Sequence, residues 1–242
     1  MTELEKNPDL PNFIKTLKEH EQDPVIMLYG AKDETHNQAV VLSEFLKISE
    51  VVMSTKAEFR SRQLKRLQTA AKETQMAGEN LLAALVKTPL WQQADSIGVT
   101  VSGPFEVPTA PIIAAAHAAN KAVFLPRVMP KRQMVFLPDP GFDQLVTSRF
   151  GIPEPPYHAD QVEPAPDLLI VPGIGFSLAD NFRIGFGGGY YDRFLADYPG
   201  HTVTLVPPVM AFNQPDWPVE SFDMPIETLI LANGNIIVQK SY

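Results

Sequence analysis

Residues 183–195 read R-I-G-F-G-G-G-Y-Y-D-R-F-L. Four of the chain's fourteen glycines, Gly185, Gly187, Gly188 and Gly189, fall within five positions. Glycine admits positive φ and lets another group come close to the backbone. Upstream, residues 167–171 (D-L-L-I-V) read as a buried strand. From Tyr190 the composition reads as a helix start, with Asp192 in its first turn. A strand, a glycine loop and a helix start form an arrangement in which backbone N–H groups and the helix dipole can hold phosphate. Arg183 and Arg193 bracket the loop with guanidinium groups suited to phosphate oxygens. The spacing is neither that of a Walker A loop nor that of the dinucleotide fingerprint. From the residues alone, a phosphate loop and a plain structural turn both stand.

Composition narrows the choice of partner. The formal net charge is −8 across 242 residues, which argues against a broad nucleic-acid footprint but not against a local basic cluster for a small anion. There is no cysteine, which excludes disulfides, zinc–thiolate sites and a thiol nucleophile. No apolar run is long enough to span a membrane and no signal-peptide pattern is present, so the expected location is the cytoplasm.

Working outward, residues 1–52 read as a separate N-terminal extension, with a helix over 12–20, a strand over 24–29 and a helix over 36–47. His36 and Asn37 fit the start of that last helix better than a site. The run M-S-T-K-A-E-F-R from Met53 reads like a protein start, so the main domain is expected over 53–242 with a fused remnant ahead of it. A helix should begin after Ser54 or Thr55, with Glu58 as capping-box partner. Lys56 and Arg60, four apart, share one face of it. A second helix is predicted over 76–87, a strand over 96–101, a helix over 111–120 and strands over 122–125 and 131–137, with Met134 and Phe136 inward. A core strand over 202–206 and a hairpin over 229–238, turning at Asn233-Gly234 in type I′ geometry, complete the pattern. Strands alternating with helices argue an α/β domain, a three-layer α/β/α open sheet that is mostly parallel. Glu106 lies just past a predicted strand end, where such sheets take ligands.

G-F-G-G-G-Y-Y-D-R-F-L resembles the signature of the 5-formyltetrahydrofolate cyclo-ligase family. The strand and turn D-L-L-I-V-P-G-I-G-F (167–176) and the segment P-V-E-S-F-D-M-P-I-E-T-L-I (218–230) resemble the family's flanking elements, in the same order. The likeness implies one domain in which ATP and folate meet in a cleft over the sheet. It also implies ATP-dependent closure of 5-formyltetrahydrofolate to 5,10-methenyltetrahydrofolate, with release of ADP and phosphate. K-A-E-F-R resembles the family's K-x-x-x-R pair, which carries Lys56 and Arg60 over as ATP contacts. Arg183, Gly185, Phe186, Gly187, Gly188, Gly189, Tyr190, Tyr191 and Arg193 would surround the nucleotide. Val101 and Glu106 would meet the folate, together with Gly188, Gly189, Tyr190 and Tyr191. A carboxylate suits a pterin, which offers two parallel N–H donors.

The resemblance further implies that Asp192 and Asp223 hold Mg²⁺, and that no protein nucleophile is needed. Arg127 and Glu154 stand in two weaker family elements, either as ligand contacts or as structural groups. Pro108 and Phe222 depart from the family pattern, which more often has an acidic residue and a histidine there. The expected partners are 5-formyltetrahydrofolate and ATP, without nucleic acid or membrane, acting on a monomer. A non-catalytic, folate- or nucleotide-binding regulatory paralogue is the rival reading. Separately, residues 12–47 resemble the C-terminal end of a small uncharacterised bacterial domain family.

Overall fold

In the computed structural model, which describes residues 55–239, helix α1 (Lys56–Thr69) starts at its capping signature. Thr55 Oγ1 accepts the Glu58 N–H at 3.2 Å, and Glu58 Oε2 accepts the Thr55 N–H at 2.7 Å. The expectations for residues 1–52 lie outside the described residues. Helix α1 buries Phe59, Gln63 and Leu67, one helical stripe at spacings of four. Helix α2 (Ala71–Leu85) begins well before residue 76 and is parted from α1 by Ala70 alone. Its first residues, Ala71, Lys72 and Glu73, carry no apolar period, but they are strong helix formers. A short helix α3 (Pro89–Gln93), absent from the sequence expectations, is capped by the Thr88 hydroxyl, which accepts the Trp91 N–H at 3.1 Å.

Strand β1 (Ser96–Val99) leads through a loop to helix α4 (Ala110–Ala118) and strand β2 (Ala122–Val128). Strand β3 (Met134–Pro138) follows, with Met134 and Phe136 buried. A small hairpin, β4 (Val146–Thr147) and β5 (Pro153–Glu154), precedes β6 (Leu168–Ile170). Three minor strands, β7 (Gly175–Ser177), β8 (Arg183–Ile184) and β10 (Ala211–Phe212), form a side sheet in the order β10-β7-β8. Helix α5 (Tyr190–Leu195) follows β8. Strands β9 (His201–Val206), β11 (Thr228–Leu231) and β12 (Ile236–Val238) complete the main sheet.

That sheet has seven strands in the order β12-β11-β9-β6-β1-β2-β3. The five central strands run parallel, and the two edge strands β3 and β12 are antiparallel to their neighbours. Successive residues point to opposite faces. Leu168 and Ile170 join a core cluster with Leu81, Leu85 and Ile112 of the helices. Leu169 and Val171 join the other, with Phe59, Leu67 and Leu195. Both faces are therefore covered, which is the expected three-layer arrangement. No helix among the described residues is long and apolar enough to cross a membrane.

Two local expectations are corrected. The strand that enters the glycine loop is β8 of the side sheet, not the core strand at 167–171, because β7 and β8 intervene as an antiparallel pair. The C-terminal turn is not type I′, since Gly234 has φ +85° while Asn233 is not among the positive-φ residues. The Gly234 N–H donates to Leu231 O at 2.9 Å, which makes a turn followed by a left-handed glycine, the usual frame of a bulged hairpin.

Candidate active site

The chain leaves β1 toward β2 on one side and leaves β6 toward β9 on the other. The carboxyl ends of β1 and β6 therefore flank a topological switch point, where open α/β sheets form a crevice. A cleft lies there, lined by Thr100, Ser102, Glu106, Pro172, Gly173 and Thr204 among others. The loop carrying Glu106 is clasped at both ends. The Ser102 N–H donates to Thr109 Oγ1 at 2.9 Å, and the Thr109 N–H donates to Ser102 Oγ at 3.1 Å. Glu106 Oε2 accepts the Gly103 N–H at 2.6 Å. Burial pushes the Glu106 carboxyl above its ordinary range, and that hydrogen bond opposes the shift. Val101 packs beside the apolar cluster of Ile97 and Val99, while its neighbours Thr100 and Ser102 line the cleft.

The glycine loop lies beside this cleft. Arg183 on β8 is only 6% exposed, and its Nη2 donates to Asp192 Oδ1 at 2.8 Å. Its Cζ stands 5.5 Å from the centre of the Tyr191 ring, and its Nε is buried without a partner. Burial lowers the Arg183 pKa, and the nearby carboxylates of Asp192 and Asp223 oppose that. Gly187 has φ +96°, and a Cβ there would sit 3.2 Å from the Arg60 Cζ. Arg60 Nε donates to Gly185 O at 2.8 Å. Gly189, at φ +67°, precedes α5, and a Cβ on it would come within 2.6 Å of Arg193 Nη1. Three guanidinium groups thus bear on one short loop. Helix α5 has six residues, so the positive field comes mainly from the arginines rather than from a helix dipole. Phe186 projects from the loop, 58% exposed.

The two tyrosines part company. The Tyr191 hydroxyl is buried without a hydrogen-bond partner, and burial drives its pKa well up, so it stays a neutral donor. The Tyr191 ring packs against the core cluster of Phe59, Phe176 and Leu195. Tyr190 is partly buried against the same core cluster, but its hydroxyl reaches the surface and accepts from Arg149 Nη2 at 2.7 Å.

Lys56, one turn before Arg60, donates to both oxygens of Asp223 at 2.7 Å and to Glu220 Oε2 at 2.6 Å. Its ammonium also lies 5.2 Å from the centre of the Phe222 ring. Among the described residues there is no group of three or more histidine, cysteine, aspartate or glutamate side chains that could hold a metal ion. Mg²⁺ needs only one or two carboxylates when phosphate and water complete its shell. Asp192 fits that part: its Oδ1 is held by Arg183, and its side chain is partly exposed beside the glycine loop. Asp223 has both oxygens on Lys56 and would have to loosen that grip first.

Arg127 and Glu154 are brought together with the β4–β5 hairpin. Arg127 Nη1 donates to Pro155 O at 2.7 Å, and Glu154 is buried, its carboxyl raised by burial and opposed by the Val128 N–H. Two residues escape the sequence reading. Arg149 reaches the glycine loop through Tyr190, from a hairpin of two-residue strands too short to show a period. Gln63 is buried in α1 and donates to Ile174 O at 2.7 Å and Val209 O at 2.8 Å, tying α1 to the turn beneath the cleft. Its place on the buried stripe with Phe59 and Leu67 was the available signal.

A sequence model of the 5-formyltetrahydrofolate cyclo-ligase family matches residues 52–232. A probable 5-formyltetrahydrofolate cyclo-ligase of Caenorhabditis elegans is 34% identical over 137 residues, which are 53% of this chain and 66% of that protein. The 5-formyltetrahydrofolate cyclo-ligase of Haemophilus influenzae is 31% identical, over 58% of this chain and 78% of its own length. The Escherichia coli (strain K12) protein of the same name is 29% identical, over 70% of this chain and 94% of its own length. Among solved structures, the 5,10-methenyltetrahydrofolate synthetase of Aquifex aeolicus superposes with a TM-score of 0.63 at 25% identity, covering 77% of this chain and 94% of that one.

Proposed function

The chain belongs to the 5-formyltetrahydrofolate cyclo-ligase family, and from that premise we propose that it converts 5-formyltetrahydrofolate and ATP into 5,10-methenyltetrahydrofolate, ADP and phosphate. The observation that carries this reading is the convergence of Arg60, Arg183 and Arg193 on the glycine loop beside the Glu106 cleft. A cationic loop suits a polyphosphate, and the half-buried Glu106 carboxylate suits a pterin.

A formamide oxygen is a poor leaving group. In the proposed sequence it attacks the γ-phosphorus of ATP, the bond to the bridging oxygen breaks, and ADP departs. The folate N10 then adds to the activated formyl carbon and loses its proton. The carbon–oxygen bond breaks, phosphate leaves, and the five-membered ring is closed. No protein nucleophile takes part. The protein's work is positioning and neutralisation of charge, the main burden in phosphoryl transfer. Arg60, Arg183, Arg193 and Lys56 offset the phosphate charge. Glycine at positions 187–189 lets the phosphate chain come close to the backbone. Glu106 orients the pterin through its N–H edge. Mg²⁺ bound with the nucleotide would be held by Asp192, and by Asp223 only through an oxygen shared with Lys56; it would supply Lewis-acid neutralisation of the phosphates.

The test is the absorbance of methenyltetrahydrofolate as it forms. Purified protein is mixed with 5-formyltetrahydrofolate, with and without MgATP. The expected result is a signal that requires MgATP and falls by about a hundred-fold in Lys56→Ala. A folded protein that binds folate yet yields no product would overturn the proposal.

A further inference from the structure

An ammonium group has three N–H donors, and on Lys56 three carboxylate oxygens lie in range to take them. Asp223 Oδ1 and Oδ2 each lie 2.7 Å from Nζ, and Glu220 Oε2 lies 2.6 Å away. A phosphate oxygen can therefore accept an N–H from Lys56 only by displacing one of these partners. The two carboxylates are unequal. The Asp223 side chain is 8% exposed, against 48% for Glu220. Asp223 Oδ2 also accepts the Glu220 N–H at 2.8 Å, so Asp223 is held in place from two sides. Freeing Asp223 would strand a nearly buried charge, whereas freeing Glu220 returns its carboxylate to water.

We infer that Glu220 is an exchangeable counter-ion: it occupies the phosphate position on Lys56 in the empty protein, yields it when nucleotide arrives, and so sets nucleotide affinity. The inference rests on the ATP reading above and adds to it a residue that opposes binding. Glu220 and Asp223 together set two carboxylates against the single Lys56 ammonium. An incoming polyphosphate meets attraction there only after Glu220 has swung out. The Phe222 ring makes the exchange workable. It lies against the ammonium at 5.2 Å and offers its π face, not a competing anion, so Lys56 keeps its position while one partner replaces another.

The experiment is calorimetric titration with the magnesium complex of a non-hydrolysable ATP analogue. It uses the full chain, Glu220→Gln, Lys56→Ala and the double variant. Glu220→Gln should bind roughly two- to five-fold more tightly than the parent, the range of an exposed ion pair removed. Lys56→Ala should bind more weakly, and in its background Glu220→Gln should bring no gain. Equal or weaker binding by Glu220→Gln, with the parent binding and Lys56→Ala impaired, overturns the exchange and leaves the ATP reading standing. A gain that persists without Lys56 also overturns it, since the effect would then be one of general charge. A parent protein that binds no nucleotide overturns the ATP reading and the exchange together.

Discussion

The two faces of the main sheet are built on different terms. The face under α2 and α4 is an aliphatic layer of Leu81, Leu85, Ile97, Ile112, Leu168 and Ile230, with Trp91 as its buried aromatic, and it meets the cleft only through Val107, Ile112, Ile170 and Leu205. The face under α1 and the side sheet is aromatic and polar-laden. It holds Phe59, Phe136, Phe176, Phe212 and Trp217, and it buries Gln63 and Arg183 with them. Of the buried side-chain atoms without a hydrogen-bond partner among the described residues, Thr74 Oγ1 lies on α2. The others belong to Gln63, Ser177, Arg183, Tyr191 and Trp217. Unmet polar groups are costly in a folded core, and they gather where a ligand or a reacting group is to be met. One face is almost wholly aliphatic, and the other buries polar groups among its aromatics.

Three substitutions would break or sharpen that contrast. The largest effect should come from Arg183→Met. It removes a cation from the loop and strands Asp192, so product formation should fall by at least about a hundred-fold. Stability should fall by about 3 kcal/mol by urea titration, because half of a largely buried ion pair is left. A variant with near-parental turnover would mean that the polar face is structural only. Next comes Leu85→Ala on the aliphatic face and away from the cleft lining, expected to cost about 3 kcal/mol of stability while leaving the Michaelis constants for both substrates where they were. A change in nucleotide affinity would show the two faces to be coupled.

The smallest effect concerns Glu106, whose carboxyl is raised from its ordinary 4.5 by burial. Such a group binds its proton more tightly folded than unfolded. Its contribution to stability is full below that ordinary value and is lost as pH rises through the folded pKa. Glu106→Gln should therefore raise the melting temperature at neutral pH by about one to three degrees, and the gain should close as the pH is lowered toward the ordinary carboxylate value. Folate binding should weaken in the same variant. Identical melting at both pH values would remove Glu106 from the polar face's account.

How much of this was legible in the sequence follows the same division. The strands of the aliphatic face were readable, because Ile97 and Val99 alternate with small residues and residues 168–170 and 203–206 form short buried, mainly apolar runs, but the start of α2 and the whole of α3 with Trp91 were not. The capping pair Thr55 and Glu58 and the shared face of Lys56 and Arg60 were readable from spacing alone. The polar face was readable only in part. Strands of two or three residues, such as β8 and β10, leave no period to detect. A charged residue beside glycine reads as exposed, so nothing announced that Arg183 would be buried. Arg149 sits far from the loop in sequence, and only the fold brings it to Tyr190. Fitness for phosphate was written in residue types, but the partner of each cation was not.

The reciprocal Ser102–Thr109 clasp bears on the speed of recognition. A loop pinned at both ends gives up its freedom when the chain folds, not when a ligand docks. The carboxylate it carries is then a preset template, and capture should proceed as a single encounter step, with a rate proportional to ligand concentration and no plateau from a slow loop closure.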